Sequence, residues 1–495
     1  MTNRDQQRAP LLEKMRQFAE RGTLPFSTPG HKLGAGADPE LRALLGEAAF
    51  RHDIPLGGGI DDTHFHDGTL RAAEDLGAIA WGADRSFYLV NGSTAGNHAF
   101  LLAAIRPGEK VVVARDIHKS LLVALILSGA VPVYVAPRLH PTLNVGLGID
   151  AADIAKTLDA HPDARLVVLV SPSYCGVASD LRAIGDVAHA RDVAVFVDEA
   201  WGPHFHFHPA LPPSAMASGA DGAVASVHKV LGSLTQGSIL HARSGRVDLS
   251  RLATAVGMAQ TTSPSATILT SIDVCRRQMA LHGEALLERT IELAGTARHQ
   301  LQQIPGVGVL DAAQLGITGF DATKLVIDVD GLGLSGFAAE EALRYRFRIQ
   351  PEMSDLVGVV CLVTIGDTTR SIDRLVQAFR TLASERTGDD NPSSPALRSS
   401  GVAIAPGRQA LSPRDAFFAP SRAVPLTAAT DQIAAELVIP YPPGIPVLAP
   451  GDIISAEKID YLRHGARHGM YLSGPSDPTL ATIRVVSSPS AATTP

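Results

Sequence analysis

The stretch Ala223-Val224-Ala225-Ser226-Val227-His228-Lys229 decides how the chain is read. Three small apolar residues run as a buried strand and stop at a hydroxyl, an imidazole and an amine. Where a buried strand meets a loop, a lysine amine is partly desolvated and therefore reactive toward a carbonyl carbon. The same residues also suit an ordinary surface lysine, and Ser-x-x-Lys occurs in unrelated serine hydrolases. The surrounding segments have to separate these readings.

Outward from it, the apolar runs Ser86 to Val90, Lys110 to Ala114, Val131 to Val135, Leu166 to Val170 and Val193 to Val197 alternate with helical text such as Thr69 to Trp81 and His98 to Ile105. That alternation predicts an α/β fold with a mainly parallel sheet covered by helices on both faces. Ligands of such sheets bind beyond the carboxyl ends of the strands. Nearly every predicted strand end here carries a reactive or polar group: Ser93 and Thr94, His118, Tyr174, Asp198 and Lys229. The turn Asn91 to Asn97 offers free backbone N–H groups at a helix start, a phosphate cradle around Ser93, Thr94 and Ala95. It has neither the Walker A lysine nor GxGxxG, and capped helix starts use the same residue types.

A carboxylate closing one strand, a lysine some thirty residues later and a phosphate-type turn match the needs of pyridoxal 5′-phosphate (PLP). Lys229 would carry the Schiff base, Asp198 would hold a proton on the pyridine nitrogen, and Ser93 and Thr94, with Ser226, would bind the phosphate. His118 could lie flat on the ring. Asp198 read alone also suits a helix cap on the next segment.

Composition bounds the rest. The 495 residues exceed one ordinary domain, and 45% hydrophobic with 19% charged residues is a packed globular composition. A formal charge of −7 argues against nucleic-acid binding and against a polybasic membrane patch. Cys175, Cys275 and Cys361 are far apart and odd in number, which predicts a reducing, cytoplasmic setting without disulfides or a zinc site. Met1 to Pro10 shows no signal pattern, and no run of about eighteen apolar residues is present. Leu11, Leu12, Met15 and Phe18 predict an opening amphipathic helix ending at Gly22. His64 and His66 lie in a glycine- and acid-rich loop, and His204, His206 and His208 alternate as on one face of a strand. Either set could ligate a metal, but no supporting ligand pair is spaced for it, so no metal is expected.

Read together, the segments resemble the Orn/Lys/Arg decarboxylase family, PLP-dependent basic amino-acid decarboxylases of fold type I, in a short form without an N-terminal wing domain. The matching text is TPGHK (28–32), GIDDTHFHDG (59–68), NGSTAGN (91–97), DIHKS (116–120), SPSYCGVASDL (171–181), DEAWGPHFHFH (198–208), SVHKVLGSLTQGS (226–238), TTSPSA (261–266), GLGLSG (331–336) and YPPGIPVLAPGD (441–452), in family order.

The resemblance implies a PLP-dependent transferase-like large domain with a mainly parallel seven-stranded sheet, a small α+β domain and a C-terminal α+β domain. The expected boundaries are N-terminal helix and active-site loops at 1–75, the PLP-binding domain at 76–275, the small domain at 276–383, a Pro/Ser-rich linker at 384–409 and the C-terminal domain at 410–495. The small domain is expected to hold a helix from Arg276 to Gln303 and strands Lys324 to Val329 and Val359 to Ile365. By motif, Lys229, His228, His118 and Asp198 become catalytic, and Ser93, Thr94, Ala95, Trp201 and Ser226 join them in holding the cofactor. His228 would contact the phosphate or act as an acid near Cα, Trp201 would pack beneath the cofactor, and the His204–His208 text would form a polar wall. Cys175, Gly237 and Ala266 depart from the family pattern, which has an aromatic, a small hydroxyl residue and a tyrosine there.

The implied reaction is decarboxylation of lysine or arginine, then ornithine, in a homodimer or higher homo-oligomer with active sites at the dimer interface. Candidates for the acidic pocket are Asp61, Asp62, Asp67, Glu199, Glu352 and Asp452. Two alternatives stay open. One is an aminotransferase or lyase on the same scaffold, for which Arg370 would bind a substrate carboxylate. The other is a non-catalytic regulator that retains the fold.

Overall fold

The computed structural model describes residues 5–61, 68–140, 145–385, 405, 407–440 and 444–487, with the backbone alone at 58 and 59. Asp62, His64, His66, Asp67 and most of the expected linker lie outside the described residues.

Seven strands make the main sheet: β1 (Arg85–Leu89), β2 (Lys110–Ala114), β3 (Val131–Val135), β4 (Ala164–Val170), β5 (Ala194–Asp198), β6 (Gly222–Ala225) and β7 (Ser238–Ala242). Their order is β1-β7-β6-β5-β4-β2-β3. β2 pairs in parallel with β3 and β4, whereas β7 runs antiparallel to β1 and β6. The sheet is thus mostly parallel, and its strands are near-continuous Val, Ala, Leu and Ile because helices cover both faces. Each expected strand falls within a residue or two of an observed one. β7 was not foreseen, because His241 interrupts its apolar text; the ring is buried and bonded to the Ser86 hydroxyl at 2.8 Å.

Two helices start earlier than their sequence implies. The helix expected from His98 begins at Gly92 and runs to Ala104, so the glycine- and hydroxyl-rich turn is itself the first helical turn. The long helix expected from Arg276 spans Ala266–Gln302, and the Ser265 hydroxyl accepts the Ile268 amide at its start. Thr69–Trp81 and the opening helix Pro10–Glu20 follow the expectation.

The alternating histidines are a correction. Phe205–Phe207 is a 3-10 turn, so His204, His206 and His208 share no strand face. Aromatic packing overrides the period-two text: Phe207 meets the Trp81 ring edge-on at 4.9 Å, and the Trp81 indole N–H donates to Pro203 O at 3.1 Å.

The chain divides into two compact units, Met1–Ala104 with Val197–Leu287, and Ile105–Phe196 with Glu288–Pro495. The first carries the ends of β5 and β6 and the helix Gly92–Ala104. The second contains a four-stranded sheet in the order β10-β11-β9-β8, made of β8 (Gly308–Val309), β9 (Lys324–Asp328), β10 (Met353–Ser354) and β11 (Gly358–Leu362). Its core packs Ala297, Leu301, Ile327, Val359, Val376 and Phe379. A separate core, including Val438, Leu448, Leu462 and Ile483, organises the last segment.

Candidate active site

The site is built where β5 and β6 end. Asp198 is the last residue of β5 and is buried. Its Oδ2 accepts the Asn97 side-chain N–H at 2.9 Å and its Oδ1 accepts the Ala200 amide at 3.1 Å. Burial raises its pKa above the ordinary carboxylate value, opposed by the Asn97 hydrogen bond and the Lys229 charge. A buried carboxylate held this way is stabilised as an anion by a cationic N–H brought against it.

Beyond β6, the backbone turns into one short helical turn, Val227–Val230, and this places Lys229 and His228. The Lys229 ammonium lies 3.9 Å from the centre of the buried Trp201 ring, a cation–π contact that fixes the amine. His228 is half-buried, and its Nδ1–H donates to Gly237 O at 2.8 Å. Burial lowers its pKa, opposed by the Gly237 hydrogen bond, and the Lys229 charge lowers it further, which favours the neutral ring with Nε2 as an acceptor.

The cradle is the N-terminus of Gly92–Ala104. Gly92 opens it at φ +71°, a conformation that suits glycine. Gly96 lets the helix sit down on the sheet: a Cβ there would come within 2.6 Å of Val224 Cγ2 and 2.8 Å of Leu89 Cδ1. Ser93 Oγ lies 2.7 Å from Ser226 Oγ and 3.4 Å from Ser238 Oγ, so three hydroxyls converge. Thr94 is exposed beside them and Ala95 is buried.

His118 belongs to the second unit. It caps the helix Lys119–Ser128, its Nδ1 accepting both the Ser120 amide at 3.2 Å and the Ser120 hydroxyl at 2.8 Å. The ring is thereby held as the Nε2–H tautomer. Sequence reasoning named Asp198, Lys229, Trp201, Ser93 and Ser226 but missed the roles of Asn97 and Ser238. Asn97 sits inside the quoted NGSTAGN text, five residues past Gly92, where it reads as a helix start.

Three expected acidic-pocket residues are engaged elsewhere. Asp61 caps Thr69–Trp81 by accepting the Thr69 and Leu70 amides at 3.3 and 2.9 Å. Glu199 is buried on the Ala215 amide at 2.7 Å, and burial pushes its carboxyl up to about 8. Asp452 is buried in an ion pair with Arg115 at 3.1 Å. Glu352 and Arg370 are exposed. Two of the departures lie in tight surroundings: a Cβ at Gly237 would collide with the Ser233 hydroxyl, and Ala266 is fully buried.

Family models described as the Orn/Lys/Arg decarboxylase major domain and the Orn/Lys/Arg decarboxylase C-terminal domain match residues 9–319 and 405–474. The chain belongs to the Orn/Lys/Arg decarboxylase family. It is 41% identical over 486 residues to an arginine decarboxylase of Halalkalibacterium halodurans, covering 97% of this chain and 98% of that protein. The arginine decarboxylase of Bacillus subtilis is 40% identical over 493 residues, again covering 97% and 98%. The crystal structure of the Francisella novicida lysine decarboxylase superposes with a TM-score of 0.81 at 21% identity, covering 97% of this chain and 81% of that one. This Orn/Lys/Arg decarboxylase therefore has the fold-type-I architecture, and decarboxylation of a basic amino acid is the activity of its family. No helix among the described residues is long and apolar enough to cross a membrane.

PLP is the cofactor that the family implies, and the residues present fit it. The buried Asp198 anion suits a pyridinium N–H, the three-hydroxyl cradle at a helix N-terminus suits a phosphate, and the Lys229 amine suits an aldehyde carbon.

Proposed function

We propose that this protein is an arginine decarboxylase that uses PLP to release CO2 and agmatine. The observation that carries the reading is the Asn97-held, buried Asp198 carboxylate, in the same unit as the Trp201-seated Lys229 amine and the Ser93–Ser226 hydroxyl pair. Arginine is favoured among the basic amino acids because the relatives near 40% identity carry that name.

Lys229 would hold the cofactor's aldehyde carbon, Asp198 its ring nitrogen, Ser93, Thr94, the Ala95 amide and Ser226 its phosphate, Trp201 and His118 its ring. Bound there, PLP supplies an electron-withdrawing ring that accepts the electron pair left on Cα when CO2 departs. Asp198 as an anion keeps the ring nitrogen protonated, and Asn97 keeps Asp198 anionic. Lys229 Nζ then returns a proton to Cα. His228 serves as an acceptor rather than that donor, since its Nδ1–H is committed to Gly237 O and its ring is neutral. The enzyme works as a cytoplasmic homodimer or larger homo-oligomer whose sites are completed across the dimer interface. Its three cysteines form no disulfide, which suits a reducing compartment.

The test is a coupled assay of CO2 and amine release from L-arginine, L-lysine and L-ornithine. Arginine is expected to turn over at least tenfold better by kcat/KM. Lys229→Ala is expected to lose both turnover and the visible absorbance band of the PLP-loaded wild type. A colourless wild type after PLP addition would sink the reading, and equal turnover of lysine would sink the choice of arginine.

A further inference from the structure

β1 is an edge strand of the main sheet and pairs with β7 on one side. The backbone groups along its other edge need partners from elsewhere, because buried N–H and C=O groups are costly when unpaired. At the end of β1 that feeds the cradle helix, a single side chain supplies two of those partners. Gln260 Oε1 accepts the Val90 amide at 2.8 Å, and Gln260 Nε2 donates to Tyr88 O at 3.2 Å. Tyr88 and Val90 are both buried, and the Tyr88 amide is taken by Glu74 Oε1 at 3.0 Å. Gln260 thus stands in for a missing strand just before the turn Asn91 to Ser93.

Gln260 caps the C-terminus of the helix Leu249–Ala259, directly before the TTSPSA text. That helix packs on the cradle helix Gly92–Ala104, and Arg251 Nη2 donates to Leu102 O at 3.2 Å. One element therefore grips both the cradle helix and the strand that leads into it. The turn between the two grips is tied as well: the Thr261 amide donates to Asn91 Oδ1 at 3.4 Å, and the Gly92 amide donates to Gln236 O at 3.1 Å. Ser93 follows at once, and its hydroxyl must meet those of Ser226 and Ser238. Binding groups of this kind work only when their supports hold them to within about half an ångström.

We propose that Gln260 is a positioning residue for the phosphate cradle: by completing the outer edge of β1 it sets where Ser93, Thr94 and the Ala95 amide stand. It acts through the backbone of Tyr88 and Val90, not by contact with the cofactor. The inference rests on the proposed reading of that turn as the phosphate site of PLP. Asp198 and Lys229 stand at the ends of β5 and β6 and are held by other partners, Asn97 and Trp201. Losing the Gln260 contacts therefore weakens the grip on the phosphate and spares the grip on the ring and the aldehyde.

The test titrates the cofactor-free enzyme with PLP and, separately, with pyridoxal, which keeps the ring and aldehyde but lacks the phosphate. Gln260→Met, similar in shape but unable to bond Val90 or Tyr88, is expected to weaken PLP by roughly tenfold and pyridoxal by less than about twofold. Gln260→Glu keeps an oxygen for the Val90 amide and should bind PLP more tightly than Gln260→Met. Asp248 caps the start of the same helix by accepting the Ser250 and Arg251 amides, each at 3.0 Å. Asp248→Ala is expected to lower Tm and to leave the ratio of PLP to pyridoxal affinity as in the wild type. Equal loss of both ligands in Gln260→Met, unchanged PLP affinity, a Gln260→Glu no better than Gln260→Met, or the same change of ratio in Asp248→Ala overturns the inference. A wild type that binds no PLP overturns the proposed function and this inference together. If PLP and pyridoxal behave as expected but arginine is not decarboxylated, only the proposed function falls. If arginine is turned over and Gln260→Met binds PLP like the wild type, only this inference falls.

Discussion

At the scale of single residues, Asn97 is the side chain that holds Asp198 toward the anion its proposed role requires. Burial alone would drive the Asp198 carboxyl toward its neutral form, and the Asn97 N–H opposes this most strongly. A hydrogen bond to a charged group contributes about 1.5–3 kcal/mol. Asn97→Ala is therefore expected to raise the pKa of Asp198 further and to weaken PLP binding by roughly tenfold or more. The sign in pH follows: the anion is fully present above the Asp198 pKa, and cofactor affinity is lost as pH falls through it, so the variant loses affinity at a higher pH than the wild type. Titrating the cofactor-free enzyme with PLP between pH 5 and 8 checks both points, and overlapping curves would show that Asn97 is not what holds Asp198. Lys229, Asp198 and Ser226 were legible in the sequence because each closes or follows an apolar run. Asn97 and Ser238 were not, since their partners are 101 and 145 positions away and nothing local marks them.

At the scale of elements, the cradle depends on how closely the helix Gly92–Ala104 approaches the sheet, and Gly96 sets that distance. Gly96→Ala would add a methyl group to a space already filled by Val224 and Leu89. Overpacking of this kind costs typically 1–3 kcal/mol. Because the strain lies one turn from Ser93, the substitution is expected to lower Tm and weaken PLP binding together, whereas Ala99→Gly on the same helix should lower Tm alone. Thermal unfolding with and without PLP separates the two, and an equal effect of PLP on both variants would refute the link. The strands were readable because buried parallel strands are written as short apolar runs bounded by turns. The histidine-alternating stretch was misread because period two in text does not make a strand when Trp81 and Pro203 offer aromatic packing and a hydrogen bond that a turn alone can reach.

At the scale of the whole molecule, the second unit ties the loop after β2 to the last segment of the chain through charge buried in its interior. The Arg115 guanidinium donates to Pro446 O at 2.6 Å, to Val447 O at 3.1 Å and to Asp452 Oδ2 at 3.1 Å. Asp452 also accepts the Ala449 amide at 3.1 Å, and the Lys458 ammonium lies 3.6 Å away. Arg115, Asp452 and Lys458 are all nearly inaccessible to solvent, so the Asp452 carboxylate lies against two buried cations. Burial and the Arg115 charge already lower the Lys458 pKa to about 8. Removing the anion leaves uncompensated buried charge, which costs about 3–5 kcal/mol. Asp452→Asn is expected to destabilise the protein by that amount and to drive Lys458 toward its neutral form. Asp452→Asn with Lys458→Met, which removes one cation with the anion, should recover part of the loss. Urea unfolding of the three proteins measures it. A single variant as stable as the wild type would mean that the Pro446 and Val447 carbonyls alone satisfy Arg115. Stability unchanged from single to double variant would mean that Lys458 sheds its proton without cost and that Arg115 bears the whole penalty.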